Sequence, residues 1–208
     1  GFPKDVYWFY QSEWTDRDVL HIFPHWNWNP GQTVDVWAFT NCDEVELFLN
    51  GVSLGKQSKG EKDFNLVWKV PFEEGTLLGV GYRNGAEIMR STVSTAGEPA
   101  ALVLSPDRSE INADGSDLSF ITVTVVDRNN NPVPHAGNMV YFSVEGPGII
   151  AGVDNGSQTS MEPFKASYRK AYNGKCLVVL KAGREKGDLK VIASSDGLPD
   201  AICTVTVR

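Results

Sequence analysis

Three histidines, His21, His25 and His135, are the residues of this sequence best suited to act as a base near neutral pH. His21 lies in an apolar run, and His135 lies in a turn beside proline. None of the motifs HExxH, GxSxG, GxGxxG or CxxC occurs, and no serine has the context of a nucleophile elbow. A Ser–His–Asp triad built from distant residues stays open, although scattered polar loop residues are the ordinary finding. We therefore expect no catalytic residue in this chain.

Carboxylates are more numerous than histidines, but their spacing does not favour a site. Asp43–Glu44 and Glu73–Glu74 are adjacent pairs near turns. Neighbouring residues of a strand point to opposite faces, so these pairs do not converge on one substrate and are expected to be solvated. The loop 127–131 offers several oxygen ligands for Ca²⁺, yet it lacks the spaced pattern of an EF-hand and its terminal bidentate Glu. The sequence thus predicts no metal site and no cofactor, with calcium at 127–131 as the open alternative.

Tryptophans are the most suggestive residues for binding. Trp26 and Trp28 lie in the loop PHWNWNP, residues 24–30, where two exposed indoles could stack against sugar rings. The alternative is packing against the N-terminal segment or a neighbouring domain. We favour this alternative because proline on both sides fixes the loop and tryptophan is common at interfaces. Trp8 and Trp14 of the N-terminal segment are candidates for the same two kinds of contact.

Composition excludes several classes of protein. The chain has 208 residues, 41 % of them hydrophobic and 22 % charged, with 19 basic against 26 acidic side chains and a net charge of −7. This balance disfavours nucleic-acid binding and a polybasic membrane surface. No run approaches the ~18 apolar residues of a membrane-spanning helix, so we expect no membrane insertion. Three cysteines do not make a disulfide framework; Cys176 and Cys203 could pair, but buried free thiols are favoured.

The elements that must position these residues are mostly short strands. Residues 3–14 have Tyr7, Tyr10, Gln11 and Trp14 at helical spacing, which predicts a short helix. From Val19 the pattern alternates with period two, as in 34–39 and 45–49. Asn50–Gly51 and Asn84–Gly85 each predict a tight hairpin. Such strands without intervening helices indicate a β-sandwich.

A second series of strands follows the turn-like segment 96–99. Seven or so runs rich in β-branched residues fill 101–207, separated by turns such as 127–132 and Asn173–Gly174. All six tryptophans lie before this boundary, which suggests that the first half meets an aromatic interface. The sequence therefore predicts an all-β protein of two tandem immunoglobulin-like β-sandwiches with a short N-terminal helix.

Two stretches of the first half carry a family resemblance. HIFPHWNW, residues 21–28, and VDVWAFTNCDEVELFLNGVSLGK, residues 34–56, resemble the domain that follows the catalytic barrel in bacterial glycoside hydrolase family 2 enzymes of the β-galactosidase type. Residues 40–55 are the most specific part. GFPKDVYWFYQSEWTD, residues 1–16, resembles the last barrel helix of such an enzyme.

The second half is similar to the invasin-like immunoglobulin domain that ends many of these proteins, through residues 114–134 and 173–183. The resemblance thus implies three parts. Residues 1–18 would be the remnant of the last barrel helix, 19–96 the post-barrel sandwich and 97–208 the invasin-like domain.

The resemblance implies a parent enzyme whose chemistry lies elsewhere. Family 2 enzymes are retaining glycosidases, and their two carboxylates lie on barrel strands, at the face where barrel enzymes place their sites. No residue of this chain matches those motifs, so none is assigned a catalytic role. We expect a non-catalytic support or spacer for the barrel of the same parent, a β-galactosidase of carbohydrate metabolism, secreted to the periplasm or cell surface.

Two roles remain for the aromatic residues under this resemblance. Trp8 and Trp14, with Tyr7 and Tyr10, are expected to pack towards the barrel. The alternative function is a carbohydrate-binding or adhesin-like module acting through Trp26 and Trp28, or through loops of the second sandwich such as 127–134 and 152–160.

Overall fold

The computed structural model describes residues 2–60 and 62–208 and divides the chain into two compact units, Pro3–Thr95 and Ala96–Arg208, the second including Phe2. Almost all regular structure is β, with one short helix, which confirms the all-β prediction of two sandwiches. No helix of the described ranges is long and apolar enough to cross a membrane.

The first unit consists of one helix and seven strands. They are α1 (Asp5–Trp14), β1 (Leu20–Phe23), β2 (Thr33–Thr40), β3 (Glu44–Leu49), β4 (Val52–Ser58), β5 (Leu66–Pro71), β6 (Thr76–Arg83) and β7 (Ala86–Ser94). The strands form two antiparallel sheets, β1-β2-β5 and β4-β3-β6-β7. Alternating side chains of β2 and β3 are buried, so one face of each strand supplies the core.

Two hairpins of this unit form where Asn–Gly predicts them. Asn50 and Gly51 have φ of 52° and 81°, and Asn84 and Gly85 have φ of 52° and 76°. A two-residue turn with positive φ at both positions matches the right-handed twist of the strands that it joins. Asparagine and glycine are the residues that adopt this backbone at least cost, so these turns fix the register of β3–β4 and β6–β7.

The second unit holds nine strands. They are β8 (Ala101–Pro106), β9 (Glu110–Ile111), β10 (Leu118–Val126), β11 (Met139–Glu145), β12 (Gly148–Asp154), β13 (Tyr168–Lys170), β14 (Lys175–Ala182), β15 (Gly187–Ser195) and β16 (Leu198–Val207). They form the sheets β12-β14-β10-β8 and β13-β11-β15-β16-β9, in which only β9 and β16 pair in parallel among the described strands. The sequence pattern did not reveal β9 and β13, because two or three residues are too few to show a period.

All three cysteines are free: Cys42 and Cys176 are buried, and Cys203 is half-buried. Burial raises the pKa of the Cys176 thiol to about 12, which keeps it protonated and unreactive. Cys176 and Cys203 do not form a disulfide. The expectation of buried free thiols agrees with the structure, except that Cys203 is only partly buried.

Candidate functional site

Helix α1 lies on the first sandwich through one of its faces. The ring of Phe9 contacts Phe39 of β2 and Phe64, at centroid distances of 5.5 and 5.9 Å. Ser12, one turn further along, is buried and donates its hydroxyl to the Phe9 carbonyl at 2.8 Å. Residues three or four apart share a helix face, so this face is committed to the sheet.

The N-terminal end of the helix is fixed by His21 of β1. Its Nε2 lies 2.7 Å from Asp5 Oδ1. Its ring stacks between Trp8 and Phe23, with centroid distances of 5.3 and 5.4 Å and interplanar angles of 23° and 18°. This histidine therefore serves as an anchor between helix and sheet, and its contacts account for a polar residue within an apolar run.

A second anchor holds the other end of the helix. Lys59 Nζ lies 2.5 Å from Glu13 Oε1 and 2.8 Å from the Thr40 carbonyl oxygen. Both side chains of the ion pair are largely covered by the protein, with exposed fractions of 14 % for Lys59 and 26 % for Glu13. The orientation of α1 is thus set by polar side-chain contacts at both ends and by aromatic packing between them.

The opposite face of α1 is apolar and exposed. Val6, Tyr7, Tyr10 and Trp14, which we call the aromatic stripe, have exposed fractions of 49, 48, 44 and 76 %. Tyr10 and Trp14 contact each other at a ring distance of 4.6 Å, and Tyr7 contacts Trp8 and Tyr10 contacts Phe9 within the same helix. A helix that is apolar on both faces is normally covered on both. An exposed apolar patch of this kind marks an interaction surface.

The four tryptophans predicted to make contacts are placed in different environments. Trp14 is in the aromatic stripe, whereas Trp8 is half-buried against His21. Trp26 is only 1 % exposed: its Nε1 donates to the Glu73 carbonyl at 2.8 Å and its ring meets Phe72 edge-on at 5.2 Å. This burial argues against contact of Trp26 with a sugar or another domain, and corrects its role to that of a core residue.

Trp28 is also engaged within its own loop. Its ring stacks on His25 at 4.7 Å with an interplanar angle of 18°, and its Nε1 donates to the His25 carbonyl at 2.7 Å. The side chain is half-buried and packs against the core of the first sandwich. The loop 24–30 therefore presents no pair of free indoles, so the arrangement that would stack on sugar rings is not formed.

The loop 127–131 uses its carboxylate to organise the backbone. Asp127 is 5 % exposed and accepts hydrogen bonds from the backbone N–H groups of Gly97, Asn129 and Asn131, and from the Asn131 side chain. The Gly97 N–H is the main cause that holds the pKa of Asp127 below its usual range. Both carboxylate oxygens point at donors, an arrangement that competes with a cation. No group of three or more His, Cys, Asp or Glu side chains within 2–60 and 62–208 could hold a metal ion.

Arg169 of β13 is the prominent buried polar residue that the sequence did not single out. It is fully buried and donates to the Glu162 carbonyl at 2.9 Å, Asn155 Oδ1 at 3.3 Å and Asp154 Oδ1 at 3.4 Å. Asp154 and Asn155 lie where the loop between β12 and β13 begins, and Glu162 lies within that loop. Arg169 therefore holds the loop in place from its buried side. Only the alternation around it, exposed Tyr168 and Lys170 on either side, could have indicated an inward side chain.

Comparisons with known proteins identify this architecture. A family model described as glycoside hydrolase family 2 C-terminal domain 5 matches residues 102–204, and one described as a domain of unknown function matches 31–89. A β-galactosidase of Bacteroides ovatus is 50 % identical over 209 residues, which cover 100 % of this chain and 25 % of that protein. The chain belongs to glycoside hydrolase family 2.

Solved structures agree with this assignment to family 2. A β-glycosidase from Bacteroides vulgatus superposes with a TM-score of 0.94 at 34 % identity, over 99 % of this chain and 27 % of that one. A putative β-glucuronidase of Formosa agariphila is 35 % identical over 94 % of this chain and 19 % of its own length. This family 2 chain thus spans about a quarter of the Bacteroides ovatus protein and about a fifth of the Formosa agariphila protein. The prediction that the chain is an accessory region from the C-terminal part of a family 2 glycoside hydrolase is confirmed, since a C-terminal domain model of that family matches it.

Proposed function

We propose that this chain supports the catalytic barrel of the same family 2 polypeptide and docks on it through the aromatic stripe of α1. The exposed stripe carries this proposal, because it is an apolar surface on a helix whose other face is already occupied. The Bacteroides ovatus relative is about four times as long as the part that matches this chain, so the rest of such a polypeptide would contain the docking partner. Tethering makes such docking effectively intramolecular, so a modest apolar area is enough to hold it.

The anchors of the helix support the same role. His21 with Asp5, and Lys59 with Glu13, fix α1 before any partner arrives. A surface that is ordered in advance loses little conformational entropy when it docks. The accessory region therefore acts as a rigid support for the barrel.

The parent would hydrolyse a β-galactoside or a β-glucuronide and so take part in carbohydrate metabolism. The names of the relatives support these two activities, since one is a β-galactosidase and another a putative β-glucuronidase. We further propose export to the periplasm or cell surface, which rests on the family resemblance. Cell fractionation of the producing bacterium tests this localisation: activity confined to the cytoplasm would contradict it.

A paired substitution in the full-length parent tests the docking. Tyr10→Ser with Trp14→Ser should lower the melting temperature of the parent by several degrees and reduce kcat/KM. Burial of each large aromatic side chain contributes about 1.5–3 kcal/mol. The double variant would lose this contribution to docking on the barrel. The same pair in the present chain alone should leave its unfolding nearly unchanged, because both residues are exposed there.

The control for that experiment is Phe120→Ser with Ile149→Ser in the parent. These two apolar side chains are also exposed, but they lie on strands of the second unit. A parent that tolerates both double variants equally would contradict docking through the stripe.

A specific observation favours carbohydrate binding as a second candidate function. Tyr141 and Tyr168 face outward on adjacent strands, with ring centroids 6.4 Å apart, and Tyr172 and Lys170 are exposed nearby. Tyrosines combine an apolar ring face with a hydroxyl, which suits the apolar face and hydroxyl rim of a sugar. Calorimetric titration with galactose- and glucuronate-containing oligosaccharides tests it: binding that is lost in Tyr141→Ser/Tyr168→Ser supports the module, and the absence of heat leaves the support role.

A further inference from the structure

We propose that Asn84–Gly85, at the tip of the β6–β7 hairpin, is a site of spontaneous deamidation that the fold leaves open while protecting the other asparagine–glycine steps. The sequence contains four such steps, at Asn50, Asn84, Asn155 and Asn173. All four asparagines are followed by glycine, which has no side chain to hinder the approach of its nitrogen to the asparagine amide. Any difference in deamidation rate between them must therefore come from their surroundings.

The reaction consumes only water. The backbone nitrogen of Gly85 attacks Cγ of Asn84, forming a C–N bond, and the side-chain nitrogen leaves as ammonia with the proton of the Gly85 N–H. Water then opens the cyclic imide at either of its carbonyls, which gives aspartate or isoaspartate. The net change is hydrolysis of one amide to a carboxylate and ammonium, without any oxidant or catalyst.

Two of the four asparagines have side chains held by several hydrogen bonds. Asn50 Nδ2 donates to the Glu74 carbonyl at 3.0 Å, and its Oδ1 accepts from the Thr76 N–H at 2.9 Å. Asn155 is 5 % exposed; its Nδ2 donates to the Lys170 carbonyl at 2.8 Å and its Oδ1 accepts from the Ser157 N–H. Attack at either Cγ requires these bonds to break, so both sites are protected.

At Asn173 the protection lies with the attacking nitrogen. Gly174 is buried, and its N–H donates to the Ala136 carbonyl at 3.0 Å. The carbonyl oxygen of Val133 would lie 2.2 Å from a Cβ added at Gly174, which shows how closely other backbone surrounds this glycine. The glycine nitrogen is therefore both occupied and confined.

Asn84–Gly85 lacks each of these protections. Both residues are exposed, and no atom lies within 4 Å of a Cβ added at Gly85. The side chain of Asn84 makes no hydrogen bond with the residues that the structure describes; only its backbone N–H is engaged, with Asp43 Oδ2 at 2.8 Å. The step immediately precedes β7, a strand paired on one side alone, where local opening of the hairpin costs the least free energy.

Deamidation here would change a charged corner of the first unit. The new carboxylate would stand beside Asp43, and isoaspartate would add a methylene to the turn that sets the β6–β7 register. Arg83, the neighbouring residue, links this corner to Asp18 at 2.6 Å, in the segment that follows α1. The modification therefore acts near the segment that carries the docking helix.

Peptide mass spectrometry of the intact chain, incubated at mildly alkaline pH, tests the proposal. Peptides containing Asn84 should gain the mass of one deamidation first, about tenfold faster than those containing Asn50 or Asn155. The reason is that one or two side-chain hydrogen bonds must break before Asn50 or Asn155 can react. Asn173 should fall between them.

The control is the same incubation in concentrated denaturant, where the four rates should converge because the protection is structural. Asn84→Ser should remove the fastest site and leave the other three rates unchanged. A native chain in which Asn50 or Asn155 reacts as fast as Asn84 would overturn the proposal, as would an order of rates that persists after unfolding.

Discussion

The two sandwiches bury side chains of different chemistry. The first unit holds all six tryptophans, and Trp26 and Trp68 are in its core, each with its indole N–H bonded to a backbone carbonyl. The second unit has no tryptophan; its core is mostly valine, leucine, alanine and isoleucine, with Phe142 and Cys176 among them and the buried Arg169 beside them.

This difference shows how one architecture serves two purposes. The mostly aliphatic core of the second unit is enclosed by its own two sheets, and the exposed aromatic side chains of this unit lie on its strands and loops. The first unit concentrates aromatic surface on α1, where one face packs on the sheet and the other is left bare. We interpret the first unit as the half shaped by a partner and the second as the self-contained half.

The largest expected effect separates a core tryptophan from a surface one. Trp26→Ala should destabilise the first unit by about 3–5 kcal/mol, because it removes a fully buried ring and leaves the Glu73 carbonyl without its donor. Trp14→Ala should change stability by less than about 0.5 kcal/mol. Urea denaturation followed by tryptophan fluorescence measures both; equal effects would remove the distinction between core and stripe.

The next effect concerns the buried charge of the second unit. Arg169→Met should destabilise that unit by about 2 kcal/mol, less than for a fully enclosed pair because Asp154 and Glu162 remain partly in solvent. Lys170→Met, one residue along and exposed, is the matched control. Circular dichroism across a urea gradient measures the shift, and a more stable Arg169→Met variant would show that the arginine is not a structural requirement.

Trp26 and Arg169 also mark the limit of what the sequence could predict. The hairpins at Asn50 and Asn84 and the long strands follow from local pattern, so they were predictable from neighbouring residues. Trp26 is covered by Phe72 and Glu73, which are far from it in the chain and come near only when β5 folds onto β2. Burial of Arg169 likewise depends on a loop whose path carries no periodic signal. Packing of Tyr7, Tyr10 and Trp14 against a barrel is expected from the family resemblance, and packing of Trp28 from the flanking prolines and the frequency of tryptophan at interfaces.

Acid should distinguish the two units next. Hydrogen bonding from backbone N–H groups, first that of Gly97, lowers the pKa of Asp127, and similar bonding lowers those of Asp114 and Asp117. Their contribution to stability is therefore complete above the ordinary aspartate pKa of about 4 and is lost as the pH falls from there through the lower folded values. In the first unit only Glu87, beside Arg90, shows a lowered carboxyl pKa among the described residues.

Thermal unfolding between about pH 6 and about pH 2 measures this difference, because this range includes the ordinary carboxyl pKa of about 4 and extends below it. We expect the transition of the second unit to move further than that of the first. Asp127→Asn should flatten the pH dependence of the second unit, since one oxygen that accepts N–H groups becomes a donor. An unchanged profile would assign the acid sensitivity to other carboxylates.

The smallest expected effect lies at the anchor of the helix. Glu13→Gln removes the charge that faces Lys59 but leaves the Lys59 bond to the Thr40 carbonyl, so it should cost about 0.5–1 kcal/mol. The loss should appear as faster hydrogen exchange in α1, with exchange in β2 and β3 unchanged, because a helix at the edge of a unit can detach without unfolding the sheets. High salt screens the Lys59–Glu13 ion pair and should likewise speed hydrogen exchange in α1 of the unmodified chain.

Glu74→Gln, away from the helix, is the control. Exchange in α1 that is insensitive to both Glu13→Gln and salt would mean that Phe9 and Trp8 hold the helix alone, and the first unit would then present its stripe through aromatic packing without help from charge.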